Sequence, residues 1–190
     1  MTSFIFPFIY KISATTACIP TPVQAKGPFY KKLHTISSND MTNNGKAAGN
    51  RIKVYGKILD SKCKIIPHAK IEVWQANSFG KYNHKNDFSK SKIDNHFNGN
   101  IKINSNDKGK YFFFTVYPGH YKISANSIRT PHIHFKITTE NKSLITQMYF
   151  KDEKMNDSDY FYKRNINNNS LEGTFDNNQG FLTCKFNIII

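Results

Sequence analysis

The sequence predicts a mainly β protein, a β-sandwich with long loops. Three observations carry that expectation. From "RIKVYGKILD" onward apolar and polar residues alternate in short runs, Gly, Pro, Asn and Asp break those runs, and no helical period longer than two turns appears. The chain has 190 residues, 38% of them hydrophobic and 14% aromatic, enough to fill one core. One domain is therefore expected, with no internal repeat.

Taken in order, residues 1–48 form an N-terminal arm, packed on the core or on a neighbouring subunit. Its first part, "MTSFIFPFIYKISATTAC", has a short apolar segment followed by small residues and a cysteine, as an export or lipoprotein signal does. No basic residue precedes the apolar part, and Pro7 and Lys11 interrupt it. A signal remnant at 1–18 and an ordinary arm both stay open, and with them cytoplasmic and exported locations. Residues 49–190 form the core domain. Its strands are expected at 52–59, 69–75, 111–116, 132–138, 144–150 and 182–190, where β-branched and aromatic residues alternate with polar ones. The connections 77–107 and 151–180 exceed hairpin length, the latter reading as a polar excursion, and long loops on a rigid scaffold are where sites are built.

Twenty-seven Lys and Arg against thirteen Asp and Glu give a formal charge of +14. The basic residues are scattered and no nucleic-acid-binding motif accompanies them, which argues against nucleic acid as partner. A positive field instead concentrates small anionic substrates. No apolar run approaches the roughly 18 to 20 residues of a bilayer span, which excludes a transmembrane helix. Cys18, Cys63 and Cys184 offer no C-x-x-C and cannot all pair, so neither a zinc ribbon nor a disulfide scaffold is expected.

The stretch "IRTPHIHF" at 128–135 places two histidines two residues apart. On a strand His132 and His134 point the same way, about 6.6 Å apart along the chain, a span that one metal ion can close. Ile133 and Phe135 then face apolar packing, and Thr130-Pro131 keeps the entry extended. A bare H-x-H pair is also what a half-exposed polar face looks like, so further ligands decide the matter.

Two segments offer oxygen and nitrogen donors, "EVWQANSFGKYNHKND" at 72–87 and "FTVYPGHY" at 114–121, each with a tyrosine after a glycine turn. With "TPVQAKGPFY" at 21–30, "RTPHIHF" at 129–135 and "LITQMYF" at 144–150, their order and spacing resemble the intradiol ring-cleavage dioxygenases, from about Thr21 to Phe150. Within that family the likeness is greatest to the catalytic chain of the protocatechuate-cleaving branch. The resemblance implies a transthyretin-like sandwich, a non-haem Fe(III) held by Tyr82, Tyr121, His132 and His134, and cleavage of a catechol by dioxygen between its hydroxylated carbons to a cis,cis-muconate. It further implies that Arg129 stabilises negative charge developing in the ring, that Gln147 stands near it, and that Tyr121 leaves the metal during turnover. Trp74 and Gln75 are expected to pack beneath the site, and Tyr30, Tyr111, Tyr117 and Tyr149 to be core or rim. His84 follows Tyr82 too closely to share its metal, and His34, His68, His96 and His120 are surface.

The ligand set is chemically coherent, because two phenolates and one hydroxide balance a trivalent cation. The sequence departs from the family pattern in having Thr130 where proline is usual, a short segment from Tyr121 to Arg129, and Ile123 where a bulky aromatic lines the pocket. Those departures leave the identity of the catechol, protocatechuate-like or otherwise, open. The N-terminal part is too short for the helical dimerisation domain of catechol 1,2-dioxygenases and hydroxyquinol dioxygenases, which points to the protocatechuate-like branch, where a related second chain completes the pocket; an oligomer is expected, and whether it includes such a chain stays open. The competing expectation is a catalytically silent transthyretin-like module that binds a metal or small molecule.

Overall fold

The computed structural model describes residues 17–124, 127–165, 168–176 and 182–190. The expected signal remnant at 1–18 thus lies almost wholly outside the described residues. Strand β1 (Arg51–Leu59) turns Ile52, Val54 and Ile58 inward and its alternate residues outward. It pairs antiparallel with β4 (Lys110–Val116), which contributes Tyr111 and Phe113 to the same core. The second layer is built from β2 (Lys70–Trp74), β3 (Asn100–Asn104), β7 (His132–Thr138) and β8 (Ser143–Phe150), in the order β8-β7-β2-β3. Ile71, Val73, Ile101, Ile133, Phe135, Ile137, Met148 and Phe150 close the core from that side. Strand β9 (Glu172–Asp176) joins the layers, pairing in parallel with β8 and antiparallel with β10 (Thr183–Lys185), which in turn runs beside β1. The result is the expected sandwich, nearly closed along one corner.

Several expectations need correction. The segment 182–190 is not one strand: Phe186 and Asn187 interrupt it, and only Ile188–Ile189 resumes pairing with β1, as β11. The interruption satisfies Phe186 differently, its carbonyl accepting from the buried Tyr111 hydroxyl at 2.6 Å. The connection 77–107 holds β3, whose N-I-K-I-N alternation buries Ile101 and Ile103. The segment 151–180 is no mere polar excursion, since it contains β9 and a one-turn helix, α1 (Tyr160–Lys163). Finally, Cys18 and Cys63 form a disulfide, while Cys184 is buried and free. Pairing was hidden because 45 residues separate the two cysteines and only the folded arm brings them together.

Two inner strands of the sheet, β7 and β8, are buried on both faces over most of their length. Their core-facing residues meet the other layer. Their outer-facing residues are covered by three pieces: arm residues 22–30, the hairpin β5 (Tyr121–Ser124) and β6 (Ser127–Arg129), and the segment around α1. The arm is tied down by the Gln24 N–H donating to the Ile145 carbonyl at 2.8 Å and by Gln147 Nε2 donating to the Ala25 carbonyl at 2.7 Å. The arm continues as a strap over the sandwich, the Met41 N–H donating to the Phe114 carbonyl at 2.9 Å. Among the described residues no helix is long and apolar enough to cross a membrane.

Candidate metal centre

Strand alternation decides where the histidines point. With Ile133 and Phe135 in the core, His132 and His134 project together from the outer face, 2% and 1% exposed under the cover. Their Nε2 atoms stand 3.2 Å apart. The Thr130 carbonyl accepts from His132 Nδ1 at 2.6 Å, which assigns the proton to Nδ1 and leaves the Nε2 lone pair facing the site. Trp74, directly opposite His134 on β2, stacks on its ring. Gly27 covers His134 from the arm, where a β-carbon would lie 3.4 Å from Cε1.

The two tyrosines arrive on turns that lock into each other. Gly80 has φ +73°, and a β-carbon there would meet the His120 carbonyl oxygen at 2.1 Å; one on Gly119 would meet the Gly80 nitrogen at 2.4 Å. Backbone therefore packs on backbone, and only glycine permits it. The Asn77 carbonyl accepts from the Gly80 and Gly119 N–H groups, and its side-chain oxygen from Phe79 and Lys81. Tyr82 follows one turn and Tyr121 the other, so their rings meet edge to face at 5.5 Å. The Tyr121 hydroxyl lies 3.4 Å from His132 Nε2. The Tyr82 hydroxyl is buried without a hydrogen-bond partner among the described residues.

All four sequence-predicted ligands are thus brought to one place. Burial, reinforced by Arg129, holds the pKa of both imidazoles well below the ordinary histidine value, so they are neutral at physiological pH with lone pairs available. Burial likewise raises the pKa of both phenols, with the Tyr121 phenol adding to the effect on Tyr82 and Arg129 opposing it at Tyr121. The set by itself is four neutral groups crowded together, one of them an orphaned buried hydroxyl. The arrangement fits a cation: ligand atoms about 2 Å from one ion stand about 3 Å from each other, close to the spacing of His132 Nε2 from His134 Nε2 and from the Tyr121 hydroxyl. Phenolate oxygens suit a hard, highly charged ion. Among the described residues no group of three or more His, Cys, Asp or Glu is placed to hold a metal, so the tyrosines are needed to complete any such site.

Arg129 and Gln147 adjoin this set. Arg129 is 5% exposed; its Nε donates to Asp159 Oδ2 at 2.8 Å and its Nη2 to Gln147 Oε1 at 2.6 Å. The guanidinium lies over the Phe161 ring, 4.5 Å from its centroid. Two participants escaped the sequence reading. Tyr149, expected as core or rim, is fully buried, and beyond packing its hydroxyl accepts from Arg129 Nη2 at 3.3 Å and donates to Gln147 Oε1 at 3.0 Å. Its place opposite His132 on β8 follows from the strand pairing, which residue patterns alone do not reveal. Asp159 is fully buried and caps α1, accepting from the Phe161 and Tyr162 N–H groups. The "SDYFYK" sequence carries an N-cap signature that marks it. His84 stays apart with its ring 5.9 Å from Phe29, and His34, His68, His96 and His120 are exposed. Trp74 and Gln75 pack as expected, Gln75 donating to the Ala76 and Val116 carbonyls.

Comparison with known proteins bears on the family and the fold. The family model described as Dioxygenase matches residues 25–190. The protocatechuate 3,4-dioxygenase beta chain of Burkholderia cepacia is 36% identical over 126 residues, covering 64% of this chain and 53% of its own length. A Rickettsia typhi protein provisionally named a dioxygenase is 29% identical over 184 residues, covering 84% of this chain and 85% of that one. Relative to the first of these, the match spans about half the relative's length. Among solved structures, the intradiol ring-cleavage dioxygenase from Tetranychus urticae superposes with a TM-score of 0.73 at 22% identity, covering 91% of this chain and 94% of that one. A family match over most of the chain, on a sandwich that gathers the two tyrosines and two histidines, establishes that the chain belongs to the intradiol dioxygenase family.

Proposed function

We propose that this protein is a non-haem iron(III) intradiol dioxygenase that opens a catechol-type ring, of the protocatechuate kind, between its two hydroxylated carbons to give a cis,cis-muconate. The observation that carries the reading is that His132 Nε2 stands 3.2 Å from His134 Nε2 and 3.4 Å from the Tyr121 hydroxyl, beside the orphaned Tyr82 hydroxyl. Tyr82, Tyr121, His132 and His134 would hold the metal. Bound there, iron(III) would supply the Lewis acidity that ionises phenols and activates a catechol toward dioxygen.

The chain's own groups then have distinct tasks. Tyr82 is the fixed anion, because its ring stacks on Phe29 at 4.3 Å and its N–H donates to Asp87 at 2.7 Å. Tyr121 stands on the two-stranded β5–β6 hairpin outside the main sheet, so it is the tyrosine that can swing away and accept a proton from an incoming catechol hydroxyl. Arg129 keeps its proton at any working pH and offers fixed positive charge to the negative charge that develops in the ring. Gln147 spans Arg129 and the arm, holding the guanidinium against the cover. Exclusion of water by arm, hairpin and α1 strengthens each of these interactions.

Assembly with a related chain extends the same proposal: Phe79, Phe88, Ile93 and Ile123 are exposed apolar side chains on the loops and hairpin around the site. The Cys18–Cys63 bond favours an oxidising compartment, hence export. The deciding experiment is metal analysis with a visible spectrum, before and after anaerobic addition of protocatechuate or catechol. One iron per chain, a tyrosinate charge-transfer band that shifts with the catechol, and ring opening on admission of oxygen are expected. A colourless protein that binds catechol without turnover would overturn the reading in favour of a binding module.

A further inference from the structure

We infer that Asp159 is a positioning residue of the ring-cleavage reaction, acting by setting which edge of the Arg129 guanidinium is left for the substrate. The inference rests on the ring-cleavage reading and names a residue that the ligand set and the Arg129–Gln147 pair do not include. Arg129 has five N–H donors in a rigid plane. Asp159 Oδ2 takes Nε–H at 2.8 Å, and Gln147 and Tyr149 take Nη2 at 2.6 and 3.3 Å. Phe161 supports the plane from one face. Among the described residues Nη1 makes no hydrogen bond, so its two protons are the ones available to a ligand.

Asp159 is itself immobilised. Its Oδ1 accepts from the N–H groups of Phe161 at 2.8 Å and Tyr162 at 3.2 Å, and its Oδ2 also accepts from the Thr130 N–H at 3.0 Å. One carboxylate therefore joins the residue before Pro131, the guanidinium and the first turn of α1. Rotation of Arg129 about its outer bonds would break the Nε contact and leave a buried carboxylate without its countercharge, which is costly. A helix cap alone would not need this geometry, because Oδ1 already serves the cap.

The test is a four-cornered comparison: the unaltered iron-loaded protein, Asp159→Asn, Arg129→Ala and the double variant, each measured for iron content, visible spectrum, kcat, KM for protocatechuate and Tm. Asp159→Ser is a second single variant, since serine retains a capping oxygen and lacks the charge. Asp159→Asn is expected to keep the iron and its colour and to lower kcat about 10- to 100-fold, as loss of an orienting partner typically does. In the Arg129→Ala background the same change should leave kcat unaltered and raise Tm, because it removes a stranded buried charge. Asp159→Ser should lose kcat as Asp159→Asn does. Equal losses of kcat in both backgrounds, a lower Tm in both, or full kcat in Asp159→Ser would show a cap and nothing more, and would overturn the assignment. Inactivity of the unaltered iron-loaded protein would instead overturn the ring-cleavage reading, and the assignment with it.

Discussion

The indole of Trp74 lies flat on the imidazole of His134, ring centroids 4.9 Å apart and planes 6° from parallel. The two residues are direct partners across β2 and β7, so the stack is a product of strand register. Neither Trp74 Nε1 nor His134 Nδ1 has a hydrogen bond among the described residues, so the far edge of the imidazole is held by packing, of which the stack is one part. Trp74→Ala should cost about 3 to 5 kcal/mol in stability and weaken iron retention, whereas Trp74→Phe should lose less of both. Urea denaturation paired with iron titration checks this; equal iron affinity in Trp74→Ala would mean that the indole only packs.

The two tyrosines should answer differently to loss of their hydroxyls. Tyr82→Phe should bring iron below one per chain and abolish most of the visible band, because Tyr82 is fixed by Phe29 and Asp87. Tyr121→Phe should keep the metal with an altered band, since Tyr121 belongs to the separate hairpin. His132→Ala and His134→Ala should follow Tyr82→Phe. Metal analysis of the four variants decides, and equal metal loss in both tyrosine variants would refute the division of roles.

Arg129→Ala should keep its iron and lose turnover by about 100- to 1000-fold, the usual cost of one preorganised electrostatic donor, about 2.7 to 4 kcal/mol. It should also unfold more readily, by about 3 to 5 kcal/mol, because Asp159 is left as an unpaired buried charge. Steady-state kinetics on iron-replete protein separate the two effects. Near-normal turnover at full iron occupancy would remove Arg129 from the reaction.

Acid should weaken the fold through three carboxylates. At Asp40, Glu72 and Asp87 burial works to raise the pKa, but hydrogen bonds and a nearby cation outweigh it: Thr42 and Arg51 at Asp40, Tyr30 and Lys136 at Glu72, Ser89, the Tyr82 N–H and Lys81 at Asp87. Each folded pKa is lowered, so the stabilisation is complete above the unfolded values of about 3.9 for Asp and 4.3 for Glu and is lost as pH falls through the folded ones. Urea midpoints should therefore decline below about pH 4, and Asp87→Asn should flatten that decline. A midpoint independent of pH between 5 and 2 would contradict the assignment.

Thiol counting tests the covalent arrangement. Burial pushes the Cys184 thiol up to about 12, so no thiol should react at pH 8 in the folded state. One should react after unfolding, and all three after reduction. The 45-residue separation of Cys18 and Cys63 makes the bond worth up to roughly 4 kcal/mol in chain entropy, which reduction should remove.

What the sequence disclosed depended on whether the signal was local. The H-x-H pair, the alternation of 52–59 and 111–116, and the glycine turns before Tyr82 and Tyr121 are short-range patterns, and each gave the right element or side-chain direction. The resemblance then joined residues that no spacing links. Asp159, Tyr149 and the disulfide were missed because each is defined by a partner in another segment of the chain: Arg129 lies 30 residues from Asp159 and 20 from Tyr149, and Cys63 lies 45 from Cys18. The N-I-K-I-N strand was readable by alternation but sits in an asparagine-rich stretch that resembles loop.

The position of β7 between β2 and β8 ties the colour of the protein to its folding history. A slip of one residue in either pairing would turn both imidazoles into the oily interior and push Ile133 and Phe135 out under the arm, since side chains alternate strictly along a strand. Such a chain could be compact and rich in β-structure yet take up no metal. The fraction of a preparation that absorbs visible light would then measure how many molecules had paired those three strands in register, a far finer gauge of correct assembly than strand content.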